Sequence, residues 1–427
     1  MHMATREQET HVLRLGLDMK RVTWFNFRID FSASILFALY NVVVNQFYTP
    51  MAIRHGISNF EVGLLTAAPA IGSLLSPLWA GMMGRRSPMP FIFWPNLLAR
   101  LSICLVGLWL SPWMFVAVAL FVNFLGAIQA PAYPALMPRI YPGRLRGRLM
   151  GYVRVAQCLF LVPLALIVGA WLHVDGDMWP LICASALGVA SLILFTAVRQ
   201  VEPQPTHVEE DIHHSSGFVA KIRGQWRLVK TTAGLGAFLV ATSLTGFGNL
   251  VGAPLFQIYQ IHVLNLNNLQ IGETRMAYYA LLLVAYFVLG WVIDKVSPRY
   301  ALLWGMAAYA MMPILYAVFG SFGAALAASG FQGIGDAAWD IGLMAYVFQM
   351  APGKEASVFG LHLLLFGVRG TIAPLLSTAA AAVVPLPVVL VGATLFCLAG
   401  LIVLAVSKPH VRSDGDDLLI ASHSPPR

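Results

Sequence analysis

The sequence predicts an all-α polytopic membrane protein, with twelve transmembrane helices in two pseudo-symmetric six-helix bundles. Three observations carry this reading. The 427-residue chain is 58% hydrophobic and only 11% charged, with a mean hydropathy of +0.73; soluble domains carry about a quarter charged residues. Its apolar runs recur near the ~20 residues that cross a bilayer. The two halves also repeat each other at a spacing of about 209 residues.

The helices are expected at roughly 28–52, 59–83, 89–110, 113–137, 149–172 and 179–198 in the first half. In the second half they fall at roughly 232–260, 269–293, 299–319, 322–350, 357–383 and 386–406. Residues 1–27 then form a polar N-terminal segment without a cleavable signal peptide, 28–198 and 232–406 the two bundles, and 407–427 a polar tail. Residues 199–231 are the one long polar connection. It holds Glu209, Glu210, Asp211, His213 and His214, then a basic amphipathic stretch from Lys221 to Lys230 suited to a lipid surface.

The net charge of +8 is distributed by position. Arg85 and Arg86, Arg139 to Arg148, Arg199 to Lys230, Lys295 and Arg299, and Lys354 fall in alternate loops, whereas the intervening loops carry only Arg54 and Arg275. The positive-inside rule makes the basic loops and both termini cytoplasmic in a multi-pass protein of the cytoplasmic membrane. Charge here sets topology, so no nucleic-acid partner is expected. Cys104, Cys158, Cys183 and Cys397 all lie in apolar runs at unrelated spacings; no disulfide framework, metal site or cofactor is expected.

The repeat is specific. Ser58-Asn59-Phe60-Glu61-Val62-Gly63 answers Asn267-Asn268-Leu269-Gln270-Ile271-Gly272, and Gly81 answers Gly290. Ser87-Pro88 answers Ser297-Pro298, Trp94 answers Trp304, Pro142-Gly143 answers Pro352-Gly353, Gly151 answers Gly360, and Asn41 answers Asn249. Two homologous six-helix halves joined by a long connection form a transporter architecture.

Over nearly its whole length the chain resembles the major facilitator superfamily. That family's loop Gly-x-x-x-Asp-Arg/Lys-x-x-x-Arg/Lys is matched after the eighth helix by Gly290, Asp294, Lys295 and Arg299, and the turn Pro142 to Gly151 is also typical of it. After Gly81 the acidic position holds Arg85 instead. The resemblance implies alternating access between two bundles. Physically, an aspartate in such a loop accepts hydrogen bonds from a facing helix N-terminus, so Gly81, Arg85, Gly290, Asp294, Lys295 and Arg299 are read as a latch carried mainly by Asp294.

Charged residues inside apolar helices are costly and mark function. Asp336 and Asp340 stand one helical turn apart, and His362 and Arg369 lie in the next helix. Counting inward at about 1.5 Å per residue puts Asp340 roughly 15 Å deep, Asp336 roughly 21 Å and Arg369 roughly 18 Å. The expectation is a cluster near the midplane in which Arg369 neutralises one carboxylate and the other exchanges protons. Asp30 and Arg154 lie at similar depth on the first and fifth helices: a pair, an anion site or a snorkelling arginine all fit. Arg100 is read as structural. Asn41, Asn45, Gln46, Asn123, Gln129, Asn249 and Gln257 supply uncharged hydrogen-bonding groups, with Asn41 and Asn249 favoured for their equivalent places, and Trp339 could wall a cavity.

No nucleotide loop or catalytic motif is present in the sequence, so no enzyme is expected. The leading expectation is a monomeric, proton-coupled secondary transporter exporting a small amphipathic organic solute. The alternatives are an importer or exchanger of an organic anion bound by Arg154, His362 and Arg369, and a non-transporting sensor or assembly factor.

Overall fold

The structure, a computed structural model, describes residues 11–83, 86–199, 229–230, 232, 234–352 and 354–407. Among these residues twelve long helices follow a short hairpin. In the first half they are α1 (Arg21–Arg54), α2 (Asn59–Met83), α3 (Pro88–Leu108), α4 (Pro112–Ile140), α5 (Gly143–Asp175) and α6 (Met178–Phe195). In the second they are α7 (Leu235–Val263), α8 (Asn268–Lys295), α9 (Pro298–Phe319), α10 (322–350), α11 (Glu355–Ala380) and α12 (Leu386–Val406). Ten are long and apolar enough to cross a membrane unaided; α10, which carries Gln332, Asp336 and Asp340, is more polar.

The repeated sequence elements turn out to be helix starters. Ser58 and Glu61 exchange hydrogen bonds at the head of α2 (2.6 Å from Ser58 N to Glu61 Oε2, 3.3 Å from Glu61 N to Ser58 Oγ). Asn267 and Gln270 do the same at α8, at 3.0 and 2.9 Å. Both are capping boxes, which satisfy amide donors that a helix start leaves bare. Ser87-Pro88 and Ser297-Pro298 place proline at the first helical position, where its missing N–H costs nothing.

Three boundaries differ from the sequence reading. α1 begins at Arg21 rather than 28, and α5 begins at Gly143 rather than 149, so Arg144 to Arg148 are helical. Residues His11–Arg14 (β1) and Leu17–Lys20 (β2), within the segment read simply as polar, form an antiparallel hairpin. Leu15 and Gly16 turn it with φ of 53° and 69°, the positive values a tight two-residue hairpin loop requires. Alternation then sends Leu17 and Met19 inward, where they pack with Ile140, Tyr141 and Leu145. Most of the 199–231 connection and the tail beyond Ser407, with His213, His214 and Arg85, lie outside the described residues.

Because the helix count is even, both chain ends leave the bundle at one face, here the terminal face; the opposite one is the far face. Toward the terminal face each half has its own core: Phe27, Leu136, Ile140, Tyr141 and Leu149 in the first, Leu235, Phe238, Leu302, Met306 and Met350 in the second. Toward the far face the two halves share one core, in which Tyr48, Met51, Leu161 and Ala165 meet Leu255, Phe256, Ile271 and Tyr279.

Glycine makes that junction possible. A Cβ on Gly169 would lie 2.7 Å from the Asn268 carbonyl oxygen, and one on Gly272 would lie 2.9 Å from that of Ala165. α5 and α8 therefore touch backbone to backbone. Gly63 of α2 fits under Thr378 and Pro374 of α11 in the same way. Polar ties add to the seam: Gln46 donates to the Tyr279 hydroxyl (3.1 Å), Arg54 to the Leu266 carbonyl (2.6 Å) and Asn268 to the Leu172 carbonyl (2.9 Å). At the terminal ends of α5, α8 and α11, Gly151, Gly290 and Gly360 have open space where a side chain would stand. Among the described residues the two halves are joined at the far face and parted at the terminal face.

Candidate functional site

The carboxylates of α10 are held by tyrosines. Tyr278 of α8 donates to Asp336 Oδ2 at 2.8 Å and Tyr309 of α9 to Asp336 Oδ1 at 2.5 Å. Tyr286, two turns beyond Tyr278, donates to Asp340 Oδ2 at 2.6 Å. A π-helical turn over Ala338–Gly342 interrupts α10 between and around these groups. Such turns re-aim side chains and cluster at functional sites. Trp339, inside that turn, packs edge-on against Tyr309 at 5.6 Å and faces His362 at 6.1 Å. It is half-buried within the bundle, not turned fully to lipid.

Arg369 does not pair with either carboxylate, contrary to the depth estimate. Its Nη1 donates to the Thr242 carbonyl oxygen at 2.9 Å. The guanidinium fills the space left by Gly246, whose Cβ would come within 2.7 Å of Arg369 Cζ. Depth places a residue along the membrane normal; it says nothing about the azimuth of a helix, and α11 turns Arg369 toward α7. Tyr309 lies between Arg369 and Asp336, within electrostatic range of both. Among the described residues no arginine, lysine or histidine forms an ion pair with Asp336 or Asp340. His362, 7% exposed, leaves its Nδ1 without a partner there.

In the first half a cavity of about 340 Å³ is lined by Asp30, Asn41, Arg100, Gln129, Arg154 and Gln157, with Phe37, Tyr133 and Phe195 as aromatic walls. Asp30 accepts a hydrogen bond from Tyr141 at 2.9 Å rather than pairing with Arg154. Arg154 is exposed into the gap and lies within electrostatic range of Tyr133 and, across the gap, of Tyr286. It thereby links this cavity to the tyrosine that holds Asp340. Asn41 accepts from Asn45 at 2.9 Å. Arg100 is buried, donates to the Gly188 carbonyl and to Ser191 (2.8 Å), and lies 4.8 Å over the Phe37 ring.

A second cavity, about 250 Å³, sits beneath the far-face seam. Thr49 and Thr66 contribute from the first half, and Asn249, Gln257, Gln260, Arg275, Ser329 and Gln332 from the second. Asn41 and Asn249, equivalent in sequence, thus line different chambers. Arg275 was assigned to a loop by charge distribution, yet it is 4% exposed, two turns inside α8. The signal was available, since the Asn267–Gln270 capping box fixes where α8 begins.

Gly290, Asp294 and Lys295 share the terminal end of α8. Asp294 is exposed at the end of α8, with no hydrogen bond or ion pair among the described residues, and Gly290 faces open space. Lys295 is the last residue of α8, Gly81 lies within α2, and Arg85 is outside the described residues. Arg299 belongs to α9, where its Nη2 binds the carbonyl oxygens of Leu404 (2.8 Å), Ala405 (3.0 Å) and Ser407 (2.6 Å). It closes the C-terminus of α12, whose last carbonyls would otherwise be bare.

The sequence matches the Major Facilitator Superfamily over residues 31–272 and again over 234–424. The chain belongs to this superfamily. Among solved structures, a point mutant of the nucleoside transporter NupG superposes with a TM-score of 0.68 at 11% identity, covering 90% of this chain and 100% of that one. A bacterial homologue of the human lysosomal transporter Spinster, inward-facing and occupied, gives 0.64 at 13% identity, covering 91% and 96%. Its unoccupied inward-facing form gives 0.61 at 14%. At such identities the likeness is one of fold. No curated protein matches the chain in sequence. The superfamily, the apolar helices and the paired halves make this a multi-pass membrane transporter fold.

Proposed function

We propose that the protein is a secondary transporter that moves a small organic solute across the cytoplasmic membrane by alternating access, as a monomer coupled to protons. The terminal face is the cytoplasmic one, on the distribution of basic loops, and the structure stands in the inward-open state. The observation that carries the reading is the contrast between one shared core at the far face and two separate cores at the terminal face. Proton coupling is supported by Asp336, half-buried between Tyr278 and Tyr309, and Asp340, exposed beside Tyr286, with no cation paired to either among the described residues. A carboxylate pair so placed is suited to hold a proton that it later releases. Export of an amphipathic solute fits the first-half cavity, where Phe37, Tyr133 and Phe195 surround Asp30 and Arg154. The anion reading draws on a different fact, the buried Arg275 with no carboxylate partner among the described residues.

The test is uptake into proteoliposomes of the purified protein against a broad panel of amphipaths and organic acids, with and without a pH gradient. A cysteine at Ser215, which lies outside the described residues, reports orientation by its access to an impermeant thiol reagent. Gradient-driven movement of at least one solute is expected; a protein that moves none under any gradient is a sensor or assembly factor instead.

Asp294, without a partner among the described residues, belongs to the same picture, because a latch that closes the cytoplasmic face must be undone when that face is open. Asp294→Asn is expected to slow turnover several-fold and raise cytoplasmic labelling of the gap, with folding unchanged. Wild-type turnover and wild-type labelling would remove the latch.

A further inference from the structure

Among the described residues Arg275 is the one charged side chain lining the far-face cavity. It is 4% exposed. Its Nη2 donates to the Gln257 side-chain oxygen at 2.9 Å and lies 3.5 Å from that of Gln260, while its Nε has no partner among the described residues. Amide oxygens orient a guanidinium but do not neutralise it. Glu273, two residues earlier, is rotated about 200° around the helix and cannot reach the same chamber. A full positive charge thus sits almost wholly buried within the membrane, one of the most expensive arrangements a protein can keep without an opposite charge.

The rest of the lining says what is missing. Asn249, Thr49 and Gln332 offer neutral donors around the cation, Thr66 and Ser329 give their hydroxyl protons to the Val62 and Ala325 carbonyls, and Phe256, Met312 and Leu65 form an apolar wall. Guanidinium is shaped for bidentate recognition of a planar carboxylate, with neutral amides and hydroxyls completing the shell. At about 250 Å³ the chamber falls below the ~300–1,000 Å³ of drug-sized sites. A small organic acid fits; a large amphipath does not. Tyr278 and Tyr279, three and four residues on, stand next to Arg275 along α8. Tyr278 holds Asp336 and Tyr279 accepts from Gln46 of the opposite half. The chamber therefore adjoins both the carboxylate pair and the seam that must part.

We infer that the far-face cavity is a binding site for the carboxylate of a small organic monoacid, with Arg275 as the anion-binding group and Gln257 and Gln260 holding it in place. This rests on the anion reading of the transport function and names its solute class. Binding is measured without transport, so failure here leaves the transporter reading standing.

The purified full-length protein is tested at neutral pH with sodium acetate, lactate and benzoate, each against its own amide and against equal sodium chloride. The readouts are thermal stabilisation and tryptophan fluorescence. At least one acid is expected to protect saturably while its amide does not, and Arg275→Gln is expected to weaken that acid at least tenfold. Since Arg275→Gln could perturb folding, Gln257→Glu provides the second variant. It sets an internal carboxylate against Nη2, so the protein should be more stable and should lose the external acid. Protection by chloride equal to that by the acids, no protection by any acid, or a Gln257→Glu protein that binds acid like wild type would each overturn the assignment.

Discussion

Asp336→Asn is expected to abolish pH-gradient-driven transport while leaving energy-independent exchange within about twofold of wild type, and Asp340→Asn is expected to do the same. At 340 the asparagine keeps an oxygen for Tyr286, and at 336 it keeps one for Tyr278 or Tyr309 and offers its NH2 to the other hydroxyl, which can accept, so packing should survive while the titratable proton is lost. Two carboxylates about one turn apart, with tyrosine donors and no paired cation among the described residues, resist holding two charges at once. Removing either carboxylate is therefore expected to break the coupling. The measurement is transport by each reconstituted variant with and without a gradient. If both keep wild-type gradient dependence, the tyrosine–carboxylate cluster is structural and the proton site lies at Asp30 or Glu273.

Arg369→Ala is expected to cause the largest loss of folded protein. The guanidinium fills the notch at Gly246 and adds a hydrogen bond to the Thr242 carbonyl, so truncation opens a cavity between α7 and α11 and removes that bond. Yield in the membrane and thermal stability should fall several-fold and by several degrees. Protein that does fold should keep its gradient dependence, since Arg369 does not touch the carboxylates. A normally stable Arg369→Ala protein with altered coupling would reinstate the ion-pair triad. Arg369→Lys separates the two readings further, because lysine restores charge but not the planar fork.

The fold was legible because its signals are one-dimensional. Helix number follows from apolar run length, and the internal repeat survives in capping boxes whose chemistry tolerates few substitutions. What the sequence could not supply was azimuth. Asp336, Asp340 and Arg369 sit at matching depth, yet α11 points its arginine at α7. Asn41 and Asn249 occupy equivalent places, yet they open onto different chambers. The tyrosines that define the carboxylate site, Tyr278, Tyr286 and Tyr309, were invisible for a related reason: aromatic residues in apolar helices are usually core, and nothing local distinguishes a donor from a filler. The N-terminal hairpin was missed because its strands are four residues each, shorter than the alternation needed to recognise them.

The far-face seam also sets an energy scale. Apart from the shared core, it is tied among the described residues by three hydrogen bonds between nitrogen and oxygen, from Gln46, Arg54 and Asn268. Each is worth about 0.5–1.5 kcal/mol net, somewhat more where the donor is charged. The polar ties across the seam therefore amount to a few kcal/mol. One pH unit supplies about 1.4 kcal/mol per proton, and 100 mV supplies about 2.3 kcal/mol per charge moved across the membrane. The ties that must break before the far side parts are thus of the same order as the drive that a living membrane maintains, and this machine sits where modest electrochemical work tips it.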